Sequence, residues 1–260
     1  MLEIYLLVGV VAGLLGGLLG VGGGLIIVPA LFEVFVFLNF DQSVQMHMAI
    51  ATSLATIIFI SAASAWTHHR HGAVLWQSWW RLTPAILIGG AAGAAIAEYM
   101  PTALLKNVFA IFEIIVAIQM AFSVRPDAGR DLPGRAGMSV GGFLIGAISA
   151  IIGIGGGTMT VPFLTWCRVS IHNAVATSAA CGLPIAVSGT ITYMILGYGM
   201  PSLPQDSSGY IYWPALLSIA VSSLVFAPLG AVLAHRLPVA LLKKIFALIL
   251  FLIGLRLLLV

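Results

Sequence analysis

Charge is scarce in this sequence. Asp, Glu, Lys and Arg together make up 7% of it, where an ordinary soluble domain carries about a quarter. That shortage excludes a water-soluble globular domain of this size. The net charge is +3, and the basic residues are scattered through short loops. No stripe or patch for nucleic acid is present. There are only two cysteines. Cys167 lies near the end of an apolar segment and Cys181 inside one, so no disulfide framework or metal-ligand spacing exists. Both are read as packing thiols. Catalytic machinery is missing too. No H-E-x-x-H occurs, and the Ser-Gly-Thr at 188–190 has no evident base beside it, so the chain is not read as an enzyme. The N-terminus, MLEIYLLVGVV, lacks a basic region and a small-residue cleavage site. It reads as a first membrane segment, not a signal peptide.

Apolar residues are abundant, at 61% of the chain. They fall into eight stretches: 2–38, 45–67, 76–99, 102–123, 137–167, 173–197, 211–235 and 239–259. Six have the length of about 20 residues that crosses a bilayer core. The first and fifth are too long for one crossing. The fold class is therefore an all-α polytopic membrane protein. One charged linker, 124–136 (VRPDAGRDLPGRA), divides it into a first membrane repeat at 1–123 and a second at 137–260.

The halves are duplicates. GVGGGLIIVPAL (20–31) matches GIGGGTMTVPFL (153–164) at seven of twelve positions. HMAIATS (47–53) matches HNAVATS (172–178) at five of seven, and PTALLKNVFAIF (101–112) matches PVALLKKIFALI (238–249) at seven of twelve. The three matches keep their order. Such duplication is a hallmark of secondary transporters.

The positive-inside rule tests whether the repeats are inverted. If each long stretch crosses once, the Lys and Arg residues divide six against five, which is no bias. If each glycine run is a turn, Arg70, Arg81, Arg125, Arg130, Arg135, Arg168, Arg236, Lys243 and Lys244 share one side, and only Lys106 and Arg256 lie opposite. The second arrangement predicts two inverted repeats. Each has a glycine-turn broken helix or hairpin plus three spanning helices, five plus five segments in all. Both termini are then outside and the 124–136 linker is in the cytoplasm.

The glycine runs are the main candidate site. Residues 4–19 would form a helix of about 24 Å, short of the ~30 Å hydrocarbon core, so the turn is expected within the membrane. Irregular backbone at that depth must be buried in protein or line a wet cavity. Where the chain re-enters a helix after Gly24 or Gly157, N–H groups lack partners and the dipole is positive. That makes an anion site. Gly22, Gly23 and Gly24, with Gly155, Gly156 and Gly157, are read as substrate-binding nests that face each other. Pro29 and Pro162 follow about a turn later, each removing a donor. Leucine at Gly23 or Gly156 is expected to abolish binding and leave the protein able to fold. By contrast, GLLGGLLG (13–20) and GGAAGAA (89–95) read as close-packing helix faces.

Thr52, Ser53, Thr177 and Ser178 of the two A-T-S triplets are the second candidate. A hydroxyl in a membrane helix can simply bond its own i−4 carbonyl, but duplication favours a place lining the site. His47 and His172 begin the same two helices. Interfacial capping is their first reading and coupling their second. Glu113 lies in the middle of an apolar span, and intramembrane acids are functional candidates by default. It is either a proton-coupling group or a structural acid with a neighbouring partner. Its counterpart in the second half is Leu250. Glu33 and Glu98 fall near the outer ends and are expected to be solvated. HHRH (68–71) resembles a metal tract but has no Cys or carboxylate near it, so it reads as a basic interfacial cluster, and no metal site is expected.

A glycine-rich G-x-G-G-G…P element opening each half, followed by an A-T-S helix, is similar to the TauE/SafE family of sulfite exporters and related anion permeases. The resemblance covers essentially the whole chain. It implies a transporter of small sulfur-containing anions, such as sulfite, sulfoacetate or other sulfonates, in the cell (inner) membrane. It also implies coupling to an ion gradient and no bound cofactor. The glycines and A-T-S residues are the positions it carries over. The residues alone point to an anion; only the resemblance says sulfur. Export is the expected direction, favoured by a basic cytoplasmic face, although topology demands that face of any membrane protein. An anion channel and a transporter of a non-sulfur carboxylate stay open as alternatives. The partners expected are the small anion and the lipid bilayer, with no nucleic acid. A homodimer is compatible with the sequence, but no patch identifies an interface.

Overall fold

The computed structural model describes residues 2–19, 23–122, 131–233 and 239–259. These form ten helices and one tiny hairpin. The first half contains α1 (Leu2–Leu19), α2 (Gly24–Phe37), α3 (Gln45–Arg70), α4 (Trp76–Glu98) and α5 (Thr102–Ala121). The second contains α6 (Arg135–Ile152), α7 (Gly157–Trp166), α8 (Ile171–Leu196), β1 (Ser207–Ser208), β2 (Ile211–Tyr212), α9 (Trp213–Leu233) and α10 (Val239–Leu259). Helix α6 begins at Arg135, so the end of the 124–136 linker is already helical. Among the described residues, α3, α4, α5, α6, α8 and α9 are long and apolar enough to cross a membrane. The protein is thus an all-α polytopic membrane protein.

Each glycine run lies between two helices that fold back on each other. Helix α2 ends beside the start of α1, where Ile4, Glu33 and Phe37 line one cleft. In the second half, Phe163 near the end of α7 presses its ring on Gly141 near the start of α6. The returning arms are short. At 1.5 Å per residue, the 14 residues of α2 span about 21 Å and the 10 of α7 about 15 Å. Neither crosses a ~30 Å core.

The halves exchange their packing partners. Helix α1 packs on α9, and α6 packs on α4. The contacts correspond residue for residue. Gly9 lies on the Ile219 carbonyl, and its counterpart Gly142 lies on the Leu82 carbonyl. Gly93 lies on the Ala147 carbonyl, and its counterpart Gly230 on that of Leu14. A Cβ at any of these glycines would strike backbone, so they bring the helices close enough for backbone-to-backbone packing. Helices α3 and α8 cross at the centre in opposite directions: Leu54 meets Gly189, and Ser61 meets Gly182. Helices α5 and α10 pair at the flank, where Gly254 crosses α5 at Ala110 and Ile114.

Side chains sort by end. One end gathers Trp66, Trp76, Trp79 and Trp80 with the histidines of the 68–71 tract. The Trp76 indole donates to His69 at 3.2 Å, and Arg70 sits 5.3 Å from the Trp66 ring centre. Trp rings and basic residues together suit a membrane–water boundary. The opposite end gathers Glu33, Arg256, Glu98 and the 197–212 loop. There Arg256 bonds Glu33 at 2.9 Å.

Candidate functional site at the meeting of two glycine turns

The glycine runs come into contact at the centre of the bundle. Gly23 adopts φ 78° and precedes α2 as its N-cap. Its carbonyl accepts from the Ile26 and Ile27 amides at 3.0 and 3.1 Å. A side chain on Gly24 would lie 2.5 Å from the Gly153 carbonyl oxygen and 2.7 Å from Ile154 Cα. Gly153 also has φ 78° and ends α6. Its amide bonds Ser149 O at 2.9 Å, and its carbonyl accepts from the Ser53 hydroxyl at 2.8 Å. The first turn is therefore packed directly on the second. Gly155, Gly156 and Gly157 are buried. Gly22 lies outside the described residues.

The two turns are not equivalent. Gly23 is left-handed and a Cβ there would sit 2.8 Å from the Ala12 carbonyl. Gly156, the N-cap of α7, has an ordinary helical backbone at φ −62°. A Cβ there would have only Thr160 Oγ1 at 3.0 Å, Ile185 Cδ1 at 3.2 Å and Ser178 O at 3.4 Å as close neighbours. Leucine at Gly23 would strain the backbone and the packing together, which argues against the expectation that this variant folds unharmed. Pro29 and Pro162 lie inside α2 and α7. Each removes the amide that would bond the carbonyl of residue 25 or 158, near the start of the helix.

The A-T-S hydroxyls tie the halves together. Thr52 Oγ1 accepts from the Tyr212 amide at 3.0 Å. Thr177 Oγ1 accepts from the Leu75 amide at 3.0 Å. Tyr212 precedes α9 and Leu75 precedes α4, so each threonine satisfies an amide where a long helix of the other half begins. Ser53 is spent on Gly153, and Ser178 donates to Val175 O at 2.8 Å. All four side chains are buried beside the turns.

The remaining candidates fall elsewhere. His47 is buried at the Glu98 end of the bundle, with Nε2 3.1 Å from Ala97 O, and it stacks on Tyr210. His172 is exposed. Glu98 is only partly exposed: Oε2 is buried, and the Tyr210 hydroxyl donates to Oε1 at 2.9 Å. Burial, then that bond and the carboxylate charge, push the Tyr210 ionisation well above the ordinary phenol range. Glu33 is partly exposed and paired with Arg256. Glu113 is fully buried, and among the described residues neither of its oxygens has a hydrogen-bond partner. It lies on α5 at the level where Gly254 crosses, not at the glycine turns.

Sequence reasoning missed the hydroxyls of the second turn. Thr158 and Thr160 are buried, and among the described residues their Oγ atoms have no partner. The aligned positions of the first turn are Leu25 and Ile27. The signal lay in the mismatched positions of the repeat. Among the described residues no Lys or Arg is buried, so whatever this region holds is met by neutral donors. Among the same residues no cluster of His, Cys, Asp and Glu is arranged for a metal ion.

Similarity to known proteins agrees with this architecture. The family model "Sulfite exporter TauE/SafE" matches residues 5–257. A probable membrane transporter protein of Haemophilus influenzae is 37% identical over 253 residues, covering 96% of each chain. The probable membrane transporter protein YunE of Bacillus subtilis is 28% identical over 278 residues, covering 98% of this chain and 96% of its own. A probable membrane transporter protein of Methanocaldococcus jannaschii is 28% identical over 233 residues, covering 88% and 82%. No solved structure gives a significant match. Ten helices, two glycine hairpins that meet, and a family match spanning nearly the whole length place this chain in the TauE/SafE family of membrane transporter proteins.

Proposed function

We propose that this protein is a secondary transporter that exports small sulfur-containing anions, sulfite or a sulfonate, across the inner membrane. The anion is handled where the two glycine turns meet, near the midplane. The contact of Gly24 with Gly153 carries this reading. Irregular backbone at membrane depth is tolerated only inside protein or along a wet path, and the helix starts beside it offer N–H groups and a positive dipole end. The match to a sulfite-exporter family supports the substrate class and direction.

The halves are an inverted repeat in this reading. The opposite directions of α3 and α8, which are repeat counterparts, support it. So does the distribution of charge. With both termini outside, Arg70, Arg81 and Arg168 share the cytoplasmic end with the Trp cluster, while Arg256 lies outside. Rocking of one half against the other then alternates access to a fixed central site. Glu113 is the coupling group in this scheme, an intramembrane acid whose oxygens have no hydrogen-bond partner among the described residues.

Counterflow in proteoliposomes tests the proposal. Vesicles loaded with unlabelled sulfite should accumulate trace labelled sulfite saturably, and Gly156→Ala should reduce the rate by narrowing the second turn. Linear uptake without counterflow would indicate a channel. Counterflow with a carboxylate but with no sulfur oxyanion would overturn the substrate class.

A further inference from the structure

We infer that the two turns have different tasks: the first is a structural wedge, and the second carries an oxyanion pocket formed by Gly156, Thr160 and Ser61. The inference rests on the transporter reading above and deepens it. Three observations converge. The Thr160 hydroxyl is fully buried, has no partner among the described residues, and lies 3.0 Å from where a Gly156 side chain would begin. The Ser61 hydroxyl, on α3, comes up against Gly182 on α8. The same missing side chain of Gly182 is 3.7 Å from the Gly156 amide nitrogen. Glycine at 182 thus makes room for the Ser61 hydroxyl on the side of α8 that faces the Gly156 amide.

The chemistry of this set is specific. Gly156, Gly157 and Thr158 lead into a helix of 10 residues, whose first amides have no intrahelical acceptor. The amides are fixed donors. The hydroxyls rotate, and each can donate to one oxygen and accept from a protonated one. A small oxyanion suits such a set in either protonation state, because several oxygens of one ligand can engage donors that point from different directions. A halide offers no protonated oxygen to the hydroxyls. The described part of the first turn has helix amides of its own but lacks the hydroxyls. Its counterpart of Thr160 is Ile27, fully buried. Its Gly24 is filled by the Gly153 backbone, and Gly23 faces Ala12.

The repeat supplies its own control. Thr160→Val and Ile27→Val change equivalent positions to the same residue. The first removes a hydroxyl at nearly constant shape, and the second removes one methylene. Equilibrium binding of labelled sulfite to purified full-length protein in detergent, with unlabelled sulfite, sulfate, acetate and chloride as competitors, reads the outcome. Monodispersity and melting temperature confirm folding. Thr160→Val and Ser61→Ala should each weaken sulfite binding roughly tenfold or more, the loss expected for a hydrogen bond to a charged ligand. Gly182→Ala should abolish it, and Ile27→Val should leave it unchanged. Chloride should compete poorly in the wild type. Wild-type affinity in folded Thr160→Val and Ser61→Ala overturns the asymmetric pocket and leaves the transporter reading standing. Equal loss in Ile27→Val overturns it too. Folded wild type that binds none of these anions overturns both.

Discussion

The Tyr212 amide donates to the hydroxyl of Thr52, 160 positions earlier in the chain, at 3.0 Å. The same bond recurs between Leu75 and Thr177, also at 3.0 Å, with the halves exchanged. The two threonines are capping residues supplied in trans. Thr→Val at either position should leave a half-buried amide without its protein partner and cost about 1 kcal/mol. For a chain of this size that is a fall of a few degrees in melting temperature, at roughly 2–4 °C per kcal/mol. Thr→Ser keeps the oxygen and should restore most of it. A Thr52→Val protein melting with the wild type would show that the bond does not matter.

Gly24 has no room for a side chain. Its neighbour is a backbone oxygen that belongs to another helix end, so it cannot turn aside. Gly24→Ala should cost at least the ~1–3 kcal/mol of an overpacked core and lower the yield of monodisperse protein. Gly134→Ala, at a glycine with nothing within 4 Å, should cost only the ~0.5–1 kcal/mol of a poorer N-cap and leave the yield unchanged. Equal behaviour of the two variants would contradict the close contact of the turns.

Glu113→Gln keeps shape and removes titration. Since neither oxygen has a partner among the described residues, the variant should melt no lower than the wild type. If Glu113 couples transport to protons, a pH gradient that accelerates sulfite flux in wild-type vesicles should lose its effect in the variant, while counterflow without a gradient persists. An undiminished response to the gradient would remove Glu113 from the coupling scheme.

Tyr210 gives a pH signature. An unperturbed tyrosine ionises at 10.0, and in the fold burial and Glu98 hold the phenol neutral beyond that. The folded protein therefore keeps the proton more tightly than the unfolded chain. The stabilisation is complete below pH 10 and fades as pH rises above it. Wild type and Tyr210→Phe should show a constant difference in melting temperature up to about pH 9, and the wild type should then fall faster. Parallel curves through pH 11 would mean that Tyr210 ionises normally.

Much of this architecture could be read before any coordinates. The short stretch 4–19 and the charge distribution point to a break at each glycine run, as a broken helix or a hairpin, and the structure gives short arms of 14 and 10 residues after them. The packing role of Gly13, Gly17, Gly89 and Gly93 follows from their four-residue spacing. Repeats, however, reveal which residues correspond, not which ones touch. The exchange of Thr52 and Thr177 between halves was invisible for that reason. So was the crowding at Gly24, which depends on the arrival of Gly153 from 129 positions away. Glu98 was misjudged because its partner Tyr210 comes from a loop after α8, and a helix end that looks wet in sequence is roofed by it. Thr158 and Thr160 were overlooked because attention fell on what the two motifs share.

The exchange of packing partners has a consequence for how the chain is made. Helix α1 is made before the other described helices, yet its partner α9 begins at Trp213, about 190 residues after α1 ends. At roughly 5–20 residues per second of synthesis, α1 spends about ten to forty seconds with its row of small residues facing lipid or the insertion machinery. The α4–α6 contact forms much sooner, since those helices are separated only by α5 and the linker. Assembly is therefore lopsided in time although its product is reciprocal. The glycine face of Gly9, Gly13 and Gly17 is the surface that a chaperone or a foreign helix would meet during that wait.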